Sequence, residues 1–187
     1  GQAGYGHGHR VALDLENRPE HLLHKLALAA IGASCVPVGM DLRVGEAAYV
    51  LDHSGADLAI TLPEREVALS QACALARRPP PVALLGATSL PPARRPPPRE
   101  GPVGATSEAS LLYTSGTTGR PKGCILSHGY ELASGAWYAE RGGLLTIRPG
   151  EERIYNPLPL SHVNASIVSF FCALLTGSCQ IQSDRFH

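Results

Sequence analysis

Strand-like and helix-like segments alternate at short spacing through the first 85 residues, and this alternation restricts the fold more than any other feature of the chain. Apolar, β-type runs occur at 11–15 (Val11-Ala12-Leu13-Asp14-Leu15), 36–38, 58–61 and 82–85. Between them lie segments of helical period. The first begins at Asn17-Arg18-Pro19-Glu20, with proline near the first helical position and an acid in the first turn. Its apolar positions are Leu22, Leu23, Leu26, Ala27, Ala30 and Ile31, and Gly32 is placed to end it. A second helix is predicted over 45–53, with Ala48, Val50 and Leu51 inward, and a third over 64–77, with Val67, Leu69, Cys73 and Leu75 as its apolar positions. Strands separated by helices cannot pair as hairpins. The expected fold class is therefore α/β, a parallel sheet with right-handed crossovers and flanking helices.

The alternation breaks at 91–102, where six of twelve residues are proline and three are arginine. Such a segment lacks the N–H donors of a central strand or helix and reads as an exposed, mobile connector. After it the pattern restarts. A strand is predicted at 109–113, a loop at 114–122, a strand at 123–127, and a helix at 128–141 with Leu132, Ala136 and Trp137 on its apolar side. Pro149-Gly150 marks a turn, 153–156 a strand, 162–175 an apolar helix ended by Gly177, and 180–182 a last strand. The expected organisation is a flexible start at 1–10, an α/β lobe at 11–90, a proline-rich linker at 91–108 and a second segment at 109–187. The first residue is not methionine, and the last residues read as a strand running on into more protein, so a piece of a longer chain is expected.

Several function classes are disfavoured. Sixteen basic residues balance sixteen acidic ones, so no basic excess points to nucleic acid or to an anionic membrane surface. Arg77, Arg78, Arg94, Arg95 and Arg99 cluster among prolines without interleaved aromatics, which reads as a solvated linker. No apolar run approaches a membrane span, and the Gly/His-rich start lacks the apolar core of a signal peptide. The five cysteines are odd in number and far apart, the pattern of reduced thiols in a cytoplasmic protein. His7 and His9, and the His21/His24 pair, lack the cysteines or carboxylates that would complete a metal site. They read as a flexible terminus and a solvated helix face. Ser115 is not in a nucleophile elbow, and no hydrolase triad can be assigned.

The chemistry is concentrated at 114–123, Thr114-Ser115-Gly116-Thr117-Thr118-Gly119-Arg120-Pro121-Lys122-Gly123. Four hydroxyl side chains, three glycines and a lysine share ten residues. Core packing has no use for that mixture, but a polyphosphate does. Backbone N–H groups approach it closely at glycine, hydroxyls donate to its oxygens, and the ammonium offsets its charge. A Walker A loop is excluded, because the lysine is displaced, no hydroxyl follows it, and an apolar β-type run comes next instead of a helix. A Rossmann glycine pattern is absent at this site.

Residues 111–122 resemble the AMP-binding signature of the adenylate-forming superfamily, which includes acyl-CoA synthetases, peptide-synthetase adenylation domains and firefly luciferase. The segment Asn156-Pro157-Leu158-Pro159-Leu160-Ser161-His162-Val163-Asn164 is similar to that family's next motif, a proline/leucine run leading to the acyl pocket. The front half, including Tyr49-Val50-Leu51 and Ser54-Gly55-Ala56, resembles the opening lobe of acyl-CoA synthetases. The His-Val-Asn segment and the Asp184-Arg185-Phe186 ending look most like fatty-acyl or crotonobetaine/carnitine-CoA ligases.

The resemblance implies ATP-dependent activation of a small-molecule carboxylic acid, followed by thioester formation with CoA. Thr114, Ser115, Gly116, Thr117, Thr118, Gly119 and Lys122 would hold the ATP phosphates. Lys122 would serve catalysis, Thr114 would help hold Mg²⁺, and His162 and Asn164 would line the acyl pocket. The remaining machinery, a Tyr-Gly-x-Thr-Glu motif, a ribose-binding aspartate and a C-terminal lysine, would lie in a missing C-terminal part, leaving this piece inactive alone. Two alternatives stay open: a stand-alone phosphate-binding module or inactive partner subunit, and a peptide-synthetase adenylation domain.

Overall fold

The computed structural model describes residues 2–114 and 119–184. Its centre is a six-stranded sheet of order β4-β3-β1-β2-β5-β6. The strands are β1 (Arg10–Asp14), β2 (Ser34–Pro37), β3 (Leu58–Thr61), β4 (Val82–Leu84), β5 (Glu108–Thr114) and β6 (Lys122–Ser127). The first five run parallel, and β6 returns antiparallel to β5. Three helices connect the parallel strands: α1 (Pro19–Ala30), α2 (Val44–Ser54) and α3 (Glu66–Leu75). The predicted α/β class with a parallel sheet and flanking helices is the observed one, with the sheet mostly parallel and β6 its antiparallel strand.

Both faces of the central strands β1, β2 and β3 are covered, which is why these strands are apolar runs rather than alternating ones. Val11, Leu13, Leu58 and Ile60 point to the face shared with Leu28 of α1. Ala12, Val36 and Ala59 point the other way, into a core with Val50 and Leu51 of α2 and Leu69 and Ala72 of α3. Right-handed crossovers require this distribution: the chain steps one way from β1 to β2 and the opposite way from β2 to β3.

The second segment adds to the same sheet. From the β5–β6 hairpin the chain enters α4 (His128–Ala139). It then forms β7 (Arg153–Asn156), a π-helical stretch (Asn164–Ser169) running into α5 (Phe170–Thr176), and β8 (Cys179–Gln182), which pairs parallel with β7. Leu112 of β5 packs with Ile167 and Phe171, so this helix lies on the face of β5. Gly135 sets the approach of α4 to α5. A β-carbon there would meet Phe171 Cβ at 2.5 Å and Cys172 N at 2.8 Å, closer than real contacts allow.

Two helices turn a different face inward from the one their apolar spacing predicts. In α1 the buried residues are His21, Lys25 and Leu28, while Leu23 is exposed. In α4 they are Glu131 and Gly135, while Leu132 and Trp137 are exposed. One interaction explains both reversals. Lys25 Nζ donates to Glu131 Oε1 at 2.6 Å and to Ser110 Oγ of β5, with both charged side chains only 3% exposed. In α3, Leu69 and Cys73 are inward as expected, but Val67 and Leu75 face outward.

The ends of the first segment are also more integrated than the sequence indicates. Tyr5 and His9, in the stretch expected to be a flexible start, are buried. Within the proline-rich connector, Ala93 N donates to Ala3 O and Arg99 N to His7 O. Arg95 makes a two-pronged contact with Asp57, at 2.8 and 3.1 Å. Asp57 lies far from that connector in sequence, so composition alone could not supply the partner.

His21, expected on a solvated helix face, is 2% exposed, and neither ring nitrogen has a hydrogen-bond partner among the described residues. Burial first, then the nearby Lys25 charge, pushes its pKa down to about 3 from the usual 6.5. Folding therefore requires a neutral imidazole. The unfolded chain binds this proton below pH 6.5 and the folded chain does not. The stability this group contributes is complete above 6.5 and is lost as pH falls toward 3, with a slope approaching about 1.4 kcal/mol per pH unit. Chemical denaturation between pH 7 and pH 4 should show a shallower loss in a His21→Met variant than in the unsubstituted protein. Identical slopes would contradict the assignment.

Candidate phosphate site at the sheet edge

In open α/β sheets, ligands sit beyond the carboxyl ends of the parallel strands. The β5–β6 hairpin projects from that edge. Thr114, the last residue of β5, is the register partner of Lys122, the first of β6, and Tyr113 faces Gly123. Thr114 and Lys122 therefore stand side by side at the mouth of the loop, both exposed. Ser115, Gly116, Thr117 and Thr118 lie outside the described residues. Gly119 has φ +123°, a conformation that a side chain would strain, with no atom within 4 Å of where a β-carbon would stand.

The loop is gripped from one side by α2. Tyr49 donates its hydroxyl proton to Pro121 O at 3.1 Å, on the returning limb. His53, one turn later, shares a 2.8 Å hydrogen bond through Nδ1 with the Tyr113 hydroxyl, on the outgoing limb. The Tyr49 and His53 rings stack at 5.2 Å, Tyr113 meets Tyr49 edge-on at 6.4 Å, and the Arg120 guanidinium lies 5.7 Å from the Tyr49 ring centre. Burial, reinforced by Tyr49, pushes the Tyr113 phenol up to about 12, so it remains a neutral hydroxyl at ordinary pH. Sequence reasoning gave these aromatics no role. The available signal was Tyr49 and His53 at i and i+4, the spacing that places two side chains on one helix face.

His162 and Asn164 stand together at the start of the helix that packs on β5. Asn164 N donates to His162 Nδ1 at 3.2 Å, which leaves a neutral His162 ring with its proton on Nε2. Asn164 Oδ1 accepts from the buried Asn156 at 2.7 Å, and Asn156 also donates to Ser169 Oγ. Both His162 and Asn164 are exposed. The preceding turn is fastened to the end of β1 through Asn17, another residue that sequence reasoning missed. Its side chain accepts from Leu160 N at 2.8 Å and donates to Ser183 O at 3.0 Å. The structure thus carries the 156–164 segment to the same strand-end edge as the hairpin.

All five cysteines are free, and burial pushes the Cys35 thiol up to about 12. Among the described residues, no group of three or more His, Cys, Asp or Glu is placed to hold a metal ion. No described helix is long and apolar enough to cross a membrane.

A family model described as "AMP-binding enzyme" matches residues 2–187. The chain is 31% identical to a sulfoacetate–CoA ligase of Cupriavidus necator, over 98% of this chain and 36% of that protein. It is 34% identical to a feruloyl-CoA synthase of Amycolatopsis, over 98% of this chain and 35% of that protein. The ATP-bound crystal structure of MatB from Rhodopseudomonas palustris superposes over the whole chain and 37% of its own, with a TM-score of 0.76 and 24% identity, and shares the fold. The chain thus spans little more than a third of the length of the relatives it matches.

Removing the Tyr49 hydroxyl should weaken the loop's attachment without emptying any space. Tyr49→Phe is expected to lower the unfolding free energy by about 0.5–1.5 kcal/mol. Urea titration checks this, and an unchanged midpoint would show that the contact to Pro121 contributes nothing.

Proposed function

Because the chain belongs to the AMP-binding enzyme family, we propose that it supplies the phosphate-handling part of an enzyme that activates a carboxylic acid with ATP and then forms a thioester with CoA. The observation that carries this reading is the Thr114–Lys122 register pair at the strand-end edge. It brings a hydroxyl and an ammonium to the mouth of a glycine- and hydroxyl-rich loop.

In the proposed reaction a carboxylate oxygen attacks the α-phosphorus of ATP. The bond to the β-phosphate oxygen breaks, and pyrophosphate leaves with its electron pair. The CoA sulfur then displaces AMP from the acyl-adenylate. Negative charge grows on the departing pyrophosphate in the first step. Donors already fixed in place stabilise that charge without reorganising. Lys122 is the proposed charged donor, with Ser115, Thr117 and Thr118 as hydroxyl donors and Gly116 and Gly119 allowing close backbone approach.

Mg²⁺ fits the chemistry at the loop mouth. The Thr114 hydroxyl is an exposed hard oxygen ligand, and this ion takes few protein ligands when phosphates and water complete its shell. Bound there, it would neutralise phosphate charge. His162 and Asn164 are the proposed acyl-pocket residues, the neutral ring offering Nε2–H as a donor. The relatives' names span sulfoacetate and ferulate, and the proposed substrate is accordingly given as a class, small-molecule carboxylic acids. A fatty acid is one member of the proposed range. Five free thiols fit a cytoplasmic setting. The proposed working unit joins the 11–90 lobe to the 109–187 segment across the 91–108 linker.

Lys122→Ala in the full-length protein should lower ATP–pyrophosphate exchange by at least about 100-fold, the cost of losing one preorganised donor. Binding of the free acid should be unchanged. Exchange at the unsubstituted rate would overturn the role given to Lys122.

A further inference from the structure

The arginines of the proline-rich connector gather around a cleft at the opposite end of the sheet. Arg94, Arg95 and Arg99 from the connector meet Arg77 and Arg78, beyond α3, and Arg10, at the start of β1, around a space of about 880 Å³. The carboxylates in its lining are Asp57 and Glu108. Both are already engaged: Arg10 grips Glu108 through Nε and Nη2 at 2.7 and 2.9 Å, and Arg95 grips Asp57. Arg77 pairs outward with Asp52 at 2.9 Å. Among the described residues, the Arg94 side chain donates only to the carbonyl of Pro79, and Arg78 and Arg99 have no ion pair. The cleft therefore keeps an excess of about three positive charges after its internal pairs are formed, although the whole chain is neutral.

This position is separate from the phosphate loop. Glu108 begins β5 and Thr114 ends it, and the six steps between them span about 20 Å. The walls are also built rather than loose. Pro79, Pro80, Pro81 and Pro98 line them, and the connector is fixed by the Ala93–Ala3 and Arg99–His7 backbone hydrogen bonds. Guanidinium groups match phosphate oxygens with paired N–H donors and keep their charge at any working pH. The lining contains no aromatic side chain on which a base would stack. The size is that of a small-ligand cleft. These features favour a compact polyanion over a nucleic acid.

We propose that this arginine cleft is a second anion site that binds a small oligophosphate or a multiply phosphorylated ester, remote from the strand-end loop.

Isothermal titration of the full-length protein with inorganic tripolyphosphate tests this, using three variants. Binding at the cleft should persist in Lys122→Ala, which disables the loop. It should weaken at least tenfold in Arg78→Gln/Arg94→Gln/Arg99→Gln, and also in Arg78→Gln/Arg99→Gln, whose two positions hold no ion pair among the described residues and whose melting temperature should be unchanged. ATP–pyrophosphate exchange measured without tripolyphosphate should stay at the unsubstituted rate in both arginine variants, which separates this proposal from the one about the loop. The proposal is overturned if tripolyphosphate affinity is unchanged in both arginine variants, or if binding disappears in Lys122→Ala alone. It is equally overturned if the protein binds phosphatidylglycerol vesicles but not tripolyphosphate.

Discussion

The buried ion pair between Lys25 and Glu131 holds the two segments of this chain together. Backbone pairing does little of that work: the parallel ladder between β2 and β5 has a single register pair, Cys35 with Ser110. Lys25 reaches from α1 over this weak seam to Ser110 on β5 and Glu131 on α4. Arg10 closes the same seam at the other end by gripping Glu108. Two desolvated charges are costly, so the pair is not a source of great net stability. Removing one partner leaves an uncompensated charge, a loss of about 3–5 kcal/mol. Its value lies in allowing one arrangement of α1, β5 and α4.

That arrangement places the proposed site. With β5 held in the sheet, its carboxyl end carries the hairpin loop to the edge where open α/β sheets bind ligands. Tyr49 and His53 then steady both limbs of the loop from α2, and Asn17 brings the 156–164 turn to the same edge. Thr114 and Lys122 arrive on the two strands of the hairpin, and His162 and Asn164 at the start of the helix that packs on β5. The proline-rich connector crosses to the opposite edge, where its Arg95 pairs with Asp57 and its Arg94 and Arg99 share a cleft lining with Glu108, already committed to Arg10.

Much of this was legible in the sequence. β1 and β3 could be read because strands buried on both faces are apolar runs, and α2 because its inward residues are apolar. The loop could be read because its mixture of glycine, hydroxyls and lysine has no packing use. The faces of α1 and α4 could not be read, since apolar spacing has no means of predicting that His21, Lys25 and Glu131 point inward. That choice depends on a pair whose members are 106 residues apart, with the whole connector between them. The arginine cleft was hidden for the same reason: Arg95 looks solvated until Asp57 is beside it. The π-helical stretch at Asn164–Ser169, where Ser169 Oγ reaches back to Asn164 O at 2.9 Å, left no periodic signal in so short a segment.

The central claim is that a side-chain seam, rather than backbone pairing alone, keeps the β5–β6 hairpin in the sheet. Hydrogen–deuterium exchange on a Glu131→Gln variant of the full-length protein tests it most directly. The account predicts that amides of β5 and β6 lose protection while those of β1 and β3 keep theirs. Protection unchanged in β5 and β6, or lost evenly across all the strands, would contradict it.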